Sequence, residues 1–209
     1  MIVRSIACPA LFAILDESDQ KTYYGCDQEW YATEWQRRAG CGPSVATNLY
    51  SYVVGLGERS GNKETWLSLM EDVWEYVTPS QGGMPTTKMF YESMLSYAKA
   101  KGQSLECRYC DLPENKADRP TFTAVLKFIE DGLQNNAPVA FLNLCNGEET
   151  NLYKWHWVTV ISLEYSEDGS SACTTILDEG MVKKIDLVLW YETTTLGGGF
   201  VYFDRLTKH

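Results

Sequence analysis

Apolar positions follow two different patterns along the chain. Between residues 41 and 135 they recur at helical spacing; from 138 onward they run in short, nearly continuous apolar stretches. Val45, Leu49, Tyr52 and Val53 fall at i, i+4, i+7 and i+8, which predicts a helix over 42–54 with Pro43 in its first turn. Trp66, Leu69, Met70, Val73, Trp74 and Val77 make one buried face of a second helix, 62–77. A third helix, 86–101, is buried through Phe90, Met94, Tyr97 and Ala98, with Gly102 placed to cap it. A fourth, 121–135, points Phe122, Val125, Leu126, Ile129 and Leu133 inward.

Residues 104–109 alternate weakly, and strands are predicted over 139–144, 154–165, 172–178, 182–190 and 200–203. Residues 1–40 read as strand fragments and loops. Arg4 and the apolar 6–15 have some character of a signal peptide, but Cys8-Pro9 interrupts the run and no small-x-small cleavage site follows, which favours a strand or buried segment. Helices first and strands last, without βαβ alternation, indicate an α+β fold with an antiparallel sheet. The expectation is one domain over 1–209, helical from about 36 to 136 and sheet from about 138 to 204.

Composition narrows the function classes. A net charge of −10, with no basic run beyond Arg37-Arg38 and Lys183-Lys184, argues against a nucleic-acid partner. No apolar stretch approaches the roughly 20 residues of a membrane span. Seven cysteines without framework spacing read as free thiols in a reducing, cytoplasmic compartment, with secretion left open. Cys107-Arg-Tyr-Cys110 has zinc-knuckle spacing, but no second pair or histidine completes a ligand set. No metal or cofactor is expected.

The candidate chemistry centres on Cys41. It stands at the mouth of the first helix, before Pro43, where unpaired N–H groups favour a thiolate. Gly40 and Gly42 beside it would let a substrate backbone approach. A nucleophilic thiol needs a base, and of two histidines His209 is terminal, leaving His156 at the start of an apolar strand. Asp178 ends the next strand. A three-residue loop, Glu167-Asp168-Gly169, would pair Val158 with Asp178 and set the carboxylate diagonal to His156 on one face. A two-residue turn would send it to the other face, and Asn143 and Asn146 are then the reserves. The Cys41 N–H is a natural oxyanion donor, and the Gln36 amide could supply a second.

The stretch Q-R-R-A-G-C-G-P-S-V-A-T-N-L, followed by H-W-V-T-V and I-L-D-E-G, resembles the papain-like cysteine peptidases, most closely the bacteriocin-leader (double-glycine) peptidase branch. The resemblance implies Gln36 as oxyanion residue, Cys41 as nucleophile, His156 as base and Asp178 as orienting group. Gln36 stands five positions before Cys41, one fewer than the family spacing. A similar layout occurs in the phytochelatin-synthase relatives, which transfer an acyl group instead of hydrolysing it. Three readings follow: a thiol peptidase or amidase acting on a peptide or amide substrate, an acyltransferase, and a silent binding module of the same fold. Oligomeric state is not legible.

Overall fold

The computed structural model describes residues 1–55 and 61–206, so His209 lies outside the described residues. In chain order the first half comprises strands β1 (Ile2–Ser5), β2 (Ala13–Asp16) and β3 (Lys21–Tyr24). Helices α1 (Glu34–Ala39), α2 (Cys41–Val53), α3 (Lys63–Trp74) and α4 (Thr87–Ala100) follow. The second half comprises β4 (Leu105–Leu112), α5 (Phe122–Gln134), β5 (Val139–Asn143), β6 (His156–Tyr165), β7 (Ala172–Asp178), β8 (Met181–Asp186), α6 (Leu187–Thr193) and β9 (Gly198–Arg205).

One sheet runs in the order β4-β9-β5-β6-β7-β8, antiparallel at every pair. The first half of β6 pairs with β5 and its second half with β1, so the amino terminus completes the sheet next to the site strand. The sheet is therefore not confined to the C-terminal third, as the order of patterns suggests. β2 and β3 form a separate hairpin.

The continuous apolar runs follow from burial on both faces of the sheet. On one face Ala140, Leu142, Trp157, Val201 and Phe203 pack under Val45 and Leu49 of α2 and Phe90 and Met94 of α4. On the other, Val139, Phe141, Val158 and Phe200 meet α5 and α6. Helix α2 is the buried centre of the first layer; every residue from Gly42 to Tyr52 is buried.

Three departures from the sequence reading have local causes. The predicted strand 182–190 ends at Asp186, whose carboxylate accepts from the Leu189 N–H and starts α6. Leu187 and Trp190 then fall on one buried helical face. Helix α1 lies at the end of a stretch, 1–40, that reads as strand fragments and loops. Its signal is a capping box in which Thr33 accepts from the Gln36 N–H while the Gln36 side chain reaches back to the Thr33 N–H. The β6–β7 hairpin has a four-residue loop, not three, with Ser166 N–H donating to Ser171 C=O at 2.9 Å. A bulge at Ile161 then shifts the register by one, so Thr159 faces Leu177. Continued, that register sets Asp178 opposite Val158, the expected pairing reached by a different route.

Trp190 is fully buried, packs edge-on to Phe141 at 4.6 Å, and donates its indole N–H to the Asn143 side chain at 2.8 Å. Trp190→Ala is expected to cost about 3–5 kcal/mol in urea denaturation. Trp190→Phe, which keeps a ring but leaves the Asn143 oxygen without that donor, should cost about 1–3 kcal/mol.

Candidate active site

Helices α3, α4, α5 and α6 each begin at an Asn, Thr or Asp whose side chain accepts a backbone N–H. Helix α2 does not. Its N-cap is Gly40, without a side-chain hydrogen bond, so the first N–H groups remain for other acceptors. Gly40 is required for packing, since a Cβ there would lie 2.5 Å from the Gln36 carbonyl and 2.8 Å from the Tyr31 ring. A Cβ on Gly42 would press on the Met84 sulfur at 3.1 Å. Both glycines thus serve the close packing of α2 with its neighbours.

Cys41 opens α2 and lines one small cavity together with His156, the first residue of β6, and Asp178. Burial pushes the thiol up, but the His156 ring and the N–H groups of Trp157 and Gly42 outweigh it, and the Cys41 pKa lies below its ordinary value. His156 is the first residue of β6, reached through Trp155 in a left-handed conformation at φ +55°. Its Nε2 lies 2.6 Å from Asp178 Oδ1. A carboxylate can only accept, so Nε2 carries the hydrogen and Nδ1 is left for the sulfur. Burial pulls the imidazole down, but Asp178 and Cys41 prevail and raise it to about 10.

Asp178 is almost fully buried and both its oxygens are engaged. Lys183 Nζ donates to Oδ2 at 2.7 Å and to Glu179 Oε2 at 3.0 Å. Register explains the lysine. β7 and β8 join through the two-residue turn Glu179-Gly180, both at positive φ, and Lys183 pairs with Ile176. It therefore stands diagonal to Asp178 on the same face. Burial raises the Asp178 carboxyl, but His156 and then Lys183 overcome this and hold it below the usual carboxylate range. Lys183 also lies over the Tyr153 ring at 5.0 Å, and that ring meets His156 edge-on at 5.7 Å. Nothing in the sequence pattern singled out Lys183; it surfaced there only as part of a basic pair.

The reserve residues have structural partners. Asn143, opposite His156 in the ladder, donates to the Tyr153 carbonyl at 2.6 Å and accepts from Trp190. It braces the loop that leads into His156. Asn146 donates to the Glu149 carbonyl at 2.9 Å.

Gln36 is not brought to the thiol. Its Oε1 accepts from Thr33 Oγ1 at 2.8 Å and its Nε2 donates to Glu71 at 2.7 Å, so the amide is committed on the flank of α1. Gln28 instead borders the small cavity shared by Cys41, His156 and Asp178. Its amide gives one hydrogen to the Arg37 carbonyl at 2.8 Å and retains a second. Gln28 lies well upstream in a 3-10 turn, where no motif spacing marks it.

A cleft of about 300 Å³ is lined by Trp35, Met84, Leu142, Trp155 and Trp157 together with Cys41 and the exposed Arg38. Trp157 fixes one wall by donating its indole N–H to the Met84 carbonyl at 2.8 Å and stacking on Phe90 at 4.4 Å. Cys107 and Cys110 point to opposite faces of β4, packing with different cores, and their apolar burial pushes them up to about 12 and about 11. Among the described residues no cluster of His, Cys, Asp and Glu suits a metal, and no helix is long and apolar enough to cross a membrane.

No protein-family model matches the chain, and no curated protein matches it. Among solved structures it is similar to UfSP from C. elegans, a cysteine protease of the papain-like fold, with a TM-score of 0.55 at 10% identity. The likeness covers 100% of this chain but only 35% of that one, so the chain spans about a third of its length. The likeness is one of fold, and it does not extend to the bacteriocin-leader branch that the motifs resemble. The chain has the papain-like α+β fold, a helix with cysteine at its start packed on an antiparallel sheet.

Proposed function

We propose that the protein is a thiol-dependent peptidase or amidase with Cys41 as nucleophile, His156 as acid and base, and Asp178 as the group that orients the imidazole. The observation that carries this reading is the grouping of Cys41, His156 and Asp178 around one small cavity, with the imidazole hydrogen-bonded to Asp178, at a helix start that has no cap of its own. A thiol below its ordinary pKa beside an imidazole raised to about 10 favours the thiolate–imidazolium pair at neutral pH.

The sulfur attacks the amide carbonyl, and the C–S bond forms as the carbonyl electrons move to oxygen. The Cys41 N–H and the remaining amide hydrogen of Gln28 are the donors proposed for that oxyanion. The Nδ1 proton of His156 passes to the leaving nitrogen as the C–N bond breaks, leaving an acyl-enzyme. Neutral His156 then takes a proton from water, whose oxygen displaces the thiolate. Asp178 keeps the ring in the required tautomer throughout, and Lys183 keeps Asp178 ionised and aimed.

Thiol reactivity tests the reading without a known substrate. Cys145 is the informative control, because Thr195 donates to its sulfur at 3.2 Å and, with the nearby N–H groups, brings it down to about 7 without involving His156. With limiting iodoacetamide at pH 6, peptide mapping should find Cys41 modified first and Cys145 second. His156→Ala should slow Cys41 at least tenfold and leave Cys145 unchanged. Equal loss at both, or a Cys41 rate indifferent to His156, would reject the peptidase in favour of a silent module.

A second measurement concerns Lys183. In Lys183→Met the Asp178 oxygen loses its cation, so the carboxylate is less readily held ionised and thiolate formation is less favoured. The acid limb of the pH–alkylation profile at Cys41 should move up by about one unit, about 1.4 kcal/mol of lost charge stabilisation. Lys183→Arg should restore most of it. A smaller amplitude with no shift of the limb would mean that Lys183 supports only the fold.

A further inference from the structure

Arg38 stands out by what it lacks. Arg4 pairs with Glu130, Arg108 pairs with Glu106, and Arg37, Arg119 and Arg205 donate to backbone carbonyls. Arg38, alone among the described arginines, has neither an ion pair nor a side-chain hydrogen bond within the described residues. It is exposed in the last turn of α1 and borders the same cleft as Cys41. The carbonyls nearby do not need it, since Arg37 already donates to those of Tyr31 and Ala32. In a chain of net charge −10, a guanidinium that borders the thiol's cleft and has no partner among the described residues is opposite in sign to the overall charge.

The walls add a second requirement. Trp35 lies one turn before Arg38 on α1, and both border the cleft. Trp155 and Trp157 border it from the β6 side, so an apolar side chain can seat between indoles beside the guanidinium. The planar fork of an arginine matches a carboxylate in a two-point contact that no neutral amide reproduces.

We propose that Arg38 forms a carboxylate-binding subsite beside Cys41, so that the enzyme selects peptides bearing a carboxylate close to the scissile bond together with an apolar residue in the tryptophan-walled cleft. This rests on the peptidase reading and deepens it. The carboxylate is either the side chain of Asp or Glu or the free terminus of the substrate. The expectation runs against the acidic overall charge, which alone would favour basic peptides.

The smallest probes are iodoacetate and iodoacetamide, which form the same C–S bond with loss of iodide and differ in one carboxylate. Their rate ratio at Cys41, mapped by mass spectrometry with Cys145 as internal reference, should fall at least threefold in Arg38→Gln and about tenfold in Arg38→Glu. Internally quenched peptides differing only by Glu, Gln or Lys on either side of a Leu-containing core, each as C-terminal acid and amide, extend the test to substrates. Wild type should prefer Glu at one position, and Arg38→Glu should turn that preference to Lys. A preference that survives the terminal amide identifies a side-chain carboxylate, and one abolished by it identifies the terminal group; either supports the subsite. A rate ratio and a Glu/Lys preference that are the same in all three proteins would overturn it. The two failures are distinguishable, because the ratio is read at whatever rate Cys41 reacts, whereas the peptidase reading fails on the dependence of that rate on His156.

Discussion

The site depends on an unfilled valence at the start of α2. A helix leaves its first N–H groups without internal partners, and burying them without acceptors is costly. The other long helices meet this with a side chain from the N-cap position, whereas α2 begins at a glycine that offers none, with Cys41 as its first residue. The helix cannot withdraw its start into water, because the stretch from Gly42 to Tyr52 is the buried centre of its layer. The N–H groups, the sulfur and the β6 strand end are therefore held together by the same packing that makes the core.

The other half of the constraint is the Asp178 carboxylate. A buried carboxylate with one free oxygen would be raised by desolvation, and a neutral acid could not stabilise an imidazolium. Here each oxygen has a cationic or N–H partner, His156 on one and Lys183 on the other. Lys183 in turn is shared with Glu179 and covered by Tyr153, whose loop is pinned by Asn143. The residues that do not touch the thiol decide whether the residues that do can hold a charge.

Asp178 also shows how a register is reached. The hairpin loop has one residue more than its sequence suggests, and the Ile161 bulge takes up that residue, with its carbonyl accepting from Ile6 N–H at 3.1 Å. Without the bulge Asp178 would have turned to the opposite face, since a one-residue slip moves a whole strand's side chains across the sheet. The amino-terminal strand is thus part of the site's geometry, although it supplies none of its chemistry.

From sequence alone came the apolar stripes of α2, α3, α4 and α5, the antiparallel C-terminal strands, and the choice of Cys41 and His156. Each is a local property: periodicity reports which face is buried, a proline in a first turn reports a helix start, and one usable histidine leaves little choice of base. The short α1 was also written locally, as a Thr-x-x-Gln capping box, and the same box explains why Gln36 is occupied with Thr33 and Glu71 instead of the thiol. Only the tertiary structure decided that Lys183 braces Asp178, that Gln28 borders the thiol's cavity, and that Arg38 lies on the cleft without a partner among the described residues. Those relations join side chains from different elements. They depend on strand register, a bulge and a helix packing angle, and no spacing along the chain encodes them.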